Sequence, residues 1–156
     1  MKNVFHIVLV EPQIPQNTGN IVRTCAVTGT KLHLVKPLGF SLEDRYLKRA
    51  GLDYWHAADV NVYENFDEVV SRFPQARFFY FTTHAKASYA QVQYRDGDFL
   101  VFGSETAGLA KEILDNAPHS CVRIPMREDF RCLNLSNSAA VALYEALRQT
   151  GFEQMS

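Results

Sequence analysis

The sequence predicts an α/β fold with a mostly parallel sheet flanked by helices. Apolar runs that read as strands alternate with amphipathic segments at helical spacing. Several of the runs are apolar throughout, as expected of parallel strands covered on both faces. No repeat, linker or low-complexity segment interrupts the alternation. The 156 residues suit one domain, 1–156, long enough for a real core.

Val4 to Val10 is apolar and ends at Glu11-Pro12, which predicts a buried strand. The loop after it carries Pro12 and Pro15, and a helix is expected from about Thr18 to Thr28, with Asn17 as its cap and Gly29 as its stop. Ile21, Val22, Cys25 and Ala26 form the buried stripe of that helix, and Arg23 lies off the stripe, facing solvent or a cleft. Lys31 to Leu38 reads as the second strand and Ser41 to Ala50 as a charged helix ended by Gly51. Leu52 to Trp55 is an aromatic connector, Asn61–Val62 a short strand, and Asn65 to Phe73 a helix. Strands follow at Ala76 to Thr83 and, after the Asp96-Gly97 turn, at Asp98 to Gly103. A short helix is expected over Leu109 to Leu114 and a last strand over Cys121 to Pro125. The final helix buries Ala139, Ala140, Leu143, Ala146 and Leu147, is capped by Asn134 or Ser136, and stops at Gly151.

A formal net charge of -1 gives the whole chain no electrostatic pull on nucleic acid, so an RNA partner must be met by a local basic patch. Arg23, Arg45, Lys48 and Arg49 fall on the two early helices and are candidates for it, against the plainer reading of Arg45 and Lys48 as a solvated helix face. Cys25, Cys121 and Cys132 form no CxxC pair, and the five histidines show no metal-ligand spacing. These features indicate neither a disulfide framework nor a metal site. Neither a signal peptide nor an apolar run of membrane-spanning length is present, so a reducing, cytoplasmic location without membrane association is expected.

In an open parallel sheet, ligands sit beyond the carboxyl ends of the strands. Three predicted ends are unusual: Phe81-Thr82-Thr83, Gly103-Ser104-Glu105-Thr106-Ala107-Gly108, and Ile124-Pro125-Met126. The middle one has GxxxxG spacing without the Lys-Ser/Thr of a phosphate loop, and no GxGxxG occurs, which weakens nucleotide and dinucleotide readings. The stretch 131–137 holds two amides, a hydroxyl, a thiol and a guanidinium, more hydrogen-bonding capacity than a helix cap requires. No Ser-His-Asp or Cys-His set is readable, and Cys132 has only Arg131 as a basic neighbour.

Several motifs carry a family resemblance: Glu11-Pro12-x-Ile14-Pro15-x-Asn17-Thr18-Gly19-Asn20-Ile21-x-Arg23, Pro37-Leu38-Gly39-Phe40, Arg49-Ala50-Gly51-Leu52-Asp53-Tyr54, Phe102-Gly103-x-Glu105-Thr106-x-Gly108, Ile124-Pro125-Met126 and Asn134-Leu135-Ser136-Asn137. In this order and spacing the chain resembles the SPOUT class of RNA methyltransferases. It is most similar to the tRNA (cytidine/uridine) wobble-position 2′-O-methyltransferases of the TrmL/YibK subfamily. The resemblance spans about Val4 to Gly151.

The resemblance implies a C-terminal trefoil knot, a homodimer, S-adenosylmethionine as methyl donor with S-adenosylhomocysteine as product, and the tRNA anticodon loop as substrate, with no metal. Cofactor-binding positions implied are Phe81, Thr82, Gly103, Glu105, Gly108, Ile124, Cys132, Leu133 and Asn134. Cys132 stands where the family commonly has serine, and Ala107 where it commonly has arginine. A residue larger than glycine at 103 is expected to abolish binding by placing a Cβ in ligand space. The catalytic positions implied are Arg23, Asn134, Ser136 and Tyr144, with packing at the dimer contact an equal reading for Tyr144. The RNA-binding positions implied are Arg23, Arg45, Lys48, Arg49 and Arg131. A guanidinium keeps its proton, so Arg23 is better suited to hold a phosphate and a developing alkoxide than to act as a base. The helices at 17–28 and at the C-terminus are the expected dimer contact. Two other functions are compatible with these motifs, a 2′-O-methyltransferase for another RNA, such as ribosomal RNA, and a non-catalytic RNA-binding module.

Overall fold

The computed structural model describes residues 4–130 and 132–156. Its strands are β1 (His6–Val10), β2 (Lys31–Val35), β3 (Asp59–Tyr63), β4 (Phe78–Phe81), β5 (Phe99–Phe102) and β6 (Cys121–Val122). They form one sheet in the order β3-β2-β1-β5-β4-β6, and every pairing is parallel. The helices are α1 (Pro15–Thr28), α2 (Arg45–Gly51), α3 (Phe66–Arg72), α4 (Lys111–Asp115) and α5 (Leu135–Gln149).

Strand alternation divides the apolar residues between two cores. Ile7 and Leu9 of β1, Leu32 and Leu34 of β2, and Leu100 and Phe102 of β5 face one side, where Ile21, Val22 and Cys25 of α1 and Ala139, Leu143 and Ala146 of α5 cover them. Val8, Val10, Val35, Phe99 and Val101 face the other side, with Val69 of α3 and Leu109. α1 and α2 cross closely at Gly19, where a Cβ would stand 2.5 Å from the Ala50 Cβ and 2.8 Å from the Leu47 carbonyl oxygen.

The expected elements all form, with shifted ends. α1 starts at Pro15, not Thr18, and Asn17 is not its cap: Ile14 holds the cap position and offers no side-chain acceptor. Pro15 fits the first helical turn because its missing N–H has no intrahelical partner there in any case. β2 stops at Val35, since Pro37 has no N–H to continue the ladder. α2 starts at Arg45, where Asp44 Oδ1 accepts from the Tyr46 and Leu47 amides at 2.8 and 3.3 Å. Asn65 caps α3 by accepting from the Glu68 amide at 2.9 Å. β4, β5 and β6 are shorter than expected, and the residues released at their carboxyl ends form the site.

Candidate active site

Loops from the carboxyl ends of β4, β5 and β6 converge with the start of α5 around a cavity of about 550 Å³. Phe81, Thr82 and Thr83 line it from β4, Gly103 to Leu109 from β5, Ile124 and Met126 from β6, and Cys132, Leu133 and Asn134 from the approach to α5. Ile14 and Asn17 close it from the start of α1. All nine cofactor positions expected from the sequence are in this lining. Buried Phe81 and Phe102 stack with centroids 4.6 Å apart and give the floor an apolar surface.

The loop after β5 is tight. The Gly108 amide donates to the Ser104 carbonyl at 3.0 Å and the Ala107 amide to Ser104 Oγ at 3.0 Å. A Cβ at Gly103 would collide with the backbone of Gly108 and Leu109. This corrects the expected reason for glycine: the loop's own returning chain occupies the space. Gly108 adopts φ 68°, the left-handed region that glycine enters without strain.

Glu105 does not present a free carboxylate to the cavity. Its Oε1 accepts from the Gln13 amide at 2.8 Å, and its Oε2 accepts from the Ile14 amide at 2.9 Å and Asn17 Nδ2 at 3.2 Å. It thereby supplies from a distant loop the anionic acceptor that the start of α1 lacks. Asn17 in turn accepts from Asn134 Nδ2 at 3.1 Å. Asn134 caps α5, as expected: its Oδ1 accepts from the Ser136 amide at 2.9 Å, Ser136 Oγ at 2.6 Å and the Asn137 amide at 3.2 Å. Ser136 is the alternative cap the sequence allowed, and it serves Asn134 instead of the helix amides. Asn17 was legible as a helix cap and as a member of the motif ending at Arg23, but not as a link, because nothing local shows that residues 88 and 117 positions away meet it.

The other expected residues lie elsewhere. Arg23 is exposed, with its guanidinium over the Tyr54 ring at 4.7 Å and Nη2 3.4 Å from Tyr54 Oη, and it is not in the cavity lining. Tyr144 is exposed on α5 beside Phe152, with centroids 6.4 Å apart. Arg45 folds over the Tyr46 ring, Lys48 pairs with Glu43 at 2.6 Å, and Arg49 is exposed. Arg131 lies outside the described residues. Among the described residues no group of three or more His, Cys, Asp or Glu could hold a metal ion, and no helix is long and apolar enough to cross a membrane.

The SpoU rRNA methylase family matches residues 4–144. The chain belongs to this family. A relative from Methylovorus glucosotrophus, named tRNA (cytidine(34)-2′-O)-methyltransferase, is 55% identical over 150 residues, 96% of this chain and 97% of that one. A crystal structure of a putative RNA methyltransferase from Bacillus anthracis superposes with a TM-score of 0.91 at 45% identity, covering 97% of this chain and 98% of that one. A second structure, described as giving insights into the 2-OH methylation of C/U34 on tRNA, has the same TM-score at 44% identity over 95% and 97% of the two chains. The chain's own parallel sheet and its near full-length match to these relatives agree with the SPOUT-class resemblance of the sequence.

Proposed function

We propose that this chain is a single methyltransferase domain, 1–156, that transfers a methyl group from S-adenosylmethionine to the ribose 2′-hydroxyl of the wobble nucleotide, C34 or U34, of tRNA. The observation that carries the reading is the convergence of Phe81, Gly103–Gly108, Ile124 and Cys132–Asn134 on one cavity. Its volume suits a ligand of this size, and an apolar floor with a few convergent polar groups suits a nucleoside with a polar tail. The names of relatives near 50% identity over full length support the substrate.

When bound, S-adenosylmethionine supplies an electrophilic methyl group and leaves as S-adenosylhomocysteine. Phe81, Ile124 and Leu133 would pack its apolar surface, and Thr82 together with the peptide groups of Gly103–Gly108 would hold its polar groups. Cys132 offers a thiol there, a weaker hydrogen-bonding group than the serine common in the family. Arg23 would hold the RNA phosphate and the developing alkoxide, with Arg49 and Arg131 extending the contact. Arg45 and Lys48 have first to leave Tyr46 and Glu43. Asn134, which lines the cavity, and Ser136, which lies outside the lining and donates to Asn134, would shape the cofactor and ribose pocket. Tyr144 would meet the ribose or the partner subunit.

The working form is a cytoplasmic homodimer joined through α1 and α5, in the knotted SPOUT arrangement. Support comes from the apolar side chains exposed on these helices, Val27, Val141 and Tyr144. The knot is supported by α5 returning from edge strand β6 to pack over β5 and α1. Calorimetry with S-adenosylmethionine, followed by methyl transfer to bulk tRNA and nucleoside mass spectrometry of tRNA from a deletion strain, tests the reading. The expected result is loss of 2′-O-methylation at position 34. Transfer to ribosomal RNA alone, or cofactor binding without transfer, would replace it by one of the alternatives.

A further inference from the structure

The Asn17 carboxamide joins two loops of the cavity that the sheet keeps apart, one after β5 and one after β6. We propose that Asn17 is a positioning residue, setting cofactor affinity by tying the Gly103–Gly108 loop and the start of α5 to the first turn of α1. The proposal rests on the reading of this cavity as the S-adenosylmethionine site.

The polarity of the connection is fixed by its partners. Glu105 carries an acceptor-only carboxylate, so the nitrogen of Asn17 must face it, and does so at 3.2 Å. The Asn134 oxygen is already taken by Ser136 and the Asn137 amide, so its nitrogen is the group left to donate to Asn17, at 3.1 Å. One side chain must therefore donate in one direction and accept in the other. Asn17 is only 7% exposed, so losing either partner leaves a polar group with little water to replace it.

The turn that Glu105 holds is itself under constraint. Glu11 has φ 55°, a conformation that non-glycine residues keep only when their surroundings impose it. The Glu11 amide donates to the Val35 carbonyl at 2.9 Å, and the Gly39 amide to the Pro12 carbonyl at 2.9 Å. Glu105 takes the next two amides, Gln13 and Ile14. The link between this turn and the approach to α5 runs through Asn17. The Pro37–Phe40 motif thus has a place in the site's support, through Gly39, without lining the cavity.

Aspartate at 17 is acceptor-only and would face the Glu105 carboxylate. One of two such carboxyls takes up a proton more readily than an isolated one, and its O–H then restores the donor. Asn17→Asp should therefore lose affinity at neutral pH and regain it in acid, whereas Asn17→Ala should lose it at every pH. Glu105, His84 and Cys132 are the titratable groups lining the cavity with it. Dividing each variant by wild type at the same pH removes their own contribution.

The experiment measures S-adenosylmethionine binding by calorimetry at pH 8 and pH 5.5, with amide exchange of Gln13 and Ile14 followed in the ligand-free proteins. Both variants should bind about tenfold or more weakly at pH 8, the scale of one charge-assisted hydrogen bond. The deficit of Asn17→Asp should shrink severalfold at pH 5.5, and the two amides should exchange faster in Asn17→Ala. Wild-type affinity in either folded variant, or a deficit of Asn17→Asp equal at both pH values, overturns the proposal. If Asn17→Ala does not fold, the pH ratio of Asn17→Asp decides alone. A wild-type protein that binds no S-adenosylmethionine refutes the assignment of the cavity instead, and unchanged exchange at Gln13 and Ile14 refutes the tether independently of any ligand.

Discussion

Gly103 separates two accounts of the same glycine. If a side chain at this position only entered ligand space, Gly103→Val would fold normally and fail to bind. Its Cβ instead meets the Gly108–Leu109 backbone, so the ligand-free protein itself must rearrange. Overpacking against backbone costs about 1–3 kcal/mol or more. Gly103→Val should therefore melt several degrees lower without any cofactor, and lose S-adenosylmethionine binding as a consequence. Calorimetry paired with thermal unfolding of the ligand-free variant checks both halves. An unshifted melting temperature would return the glycine to the ligand-space account. Arg23 is the opposite case, exposed and outside the cavity. Arg23→Ala should keep cofactor affinity and lose at least tenfold in single-turnover methylation. Arg23→Lys should recover part of the loss if charge suffices and none if the planar fork is needed.

At the scale of the elements, two buried polar groupings set how the sheet responds to change. Asp98, 1% exposed just before β5, is clamped by Arg77, just before β4, through Nε at 2.9 Å and Nη2 at 2.7 Å, with the Arg95 amide at 2.9 Å. Arg77→Ala would leave a buried carboxylate facing one amide, a loss of about 3–5 kcal/mol measurable by urea unfolding. A loss within 0.5 kcal/mol would mean the carboxylate finds water or a proton at little cost. The second grouping is His6 on β1 and His33 on β2, whose ring nitrogens are 2.9 Å apart, with His33 Nδ1 2.8 Å from Tyr63 Oη. Burial, then Lys31, pushes His6 from 6.5 down to about 4. Burial, then His6, pushes His33 from 6.5 down to about 3. Below pH 6.5 the unfolded chain therefore binds protons that the folded chain refuses. The stabilisation is complete above 6.5 and falls as pH drops toward about 4 and then about 3. The slope approaches ~1.4 kcal/mol per pH unit per histidine. Urea midpoints at pH 7, 5.5 and 4.5 should decline in that order, and a constant midpoint would refute it. Neither grouping was legible beforehand. His6 and His33 read as scattered histidines, because only the register pairing His6 with Lys31 and Val8 with His33 makes them neighbours. The order of strands and helices was legible, since each apolar run carries its own period. Element ends were not, because Asp44, Pro37 and Glu105 decide them through a few hydrogen bonds gained or forgone.

At the scale of the whole molecule, the cavity of one chain and Arg23 do not meet. The start of α1 supplies Ile14 and Asn17 to the lining, while Arg23, farther along the helix, rests on Tyr54. The sequence motifs pointed to Arg23 and to the cavity residues alike, and in one chain the two lie apart. A second copy packed through α1 and α5 can bring its Arg23 to the first copy's cofactor. The two exposed faces carry Val27, Val141 and Tyr144, apolar surface available for such a contact. The arrangement predicts complementation between two inactive proteins. Arg23→Ala leaves the cavity intact, and Ile124→Trp fills it while leaving Arg23 in place. Each homodimer should be inactive. In a mixed dimer, the Arg23→Ala chain keeps an open cavity and receives Arg23 from its Ile124→Trp partner, so one site of two is whole. Random exchange of equal amounts makes half the dimers mixed, so methylation should recover to about a quarter of the wild-type rate. Single-turnover transfer to tRNA after co-refolding measures it, with light scattering to confirm that each variant is dimeric. No recovery from two dimeric, exchanging variants would place Arg23 and the cavity in the same chain's site. That outcome would require Arg23 to leave Tyr54 and swing toward its own Asn17 when RNA binds.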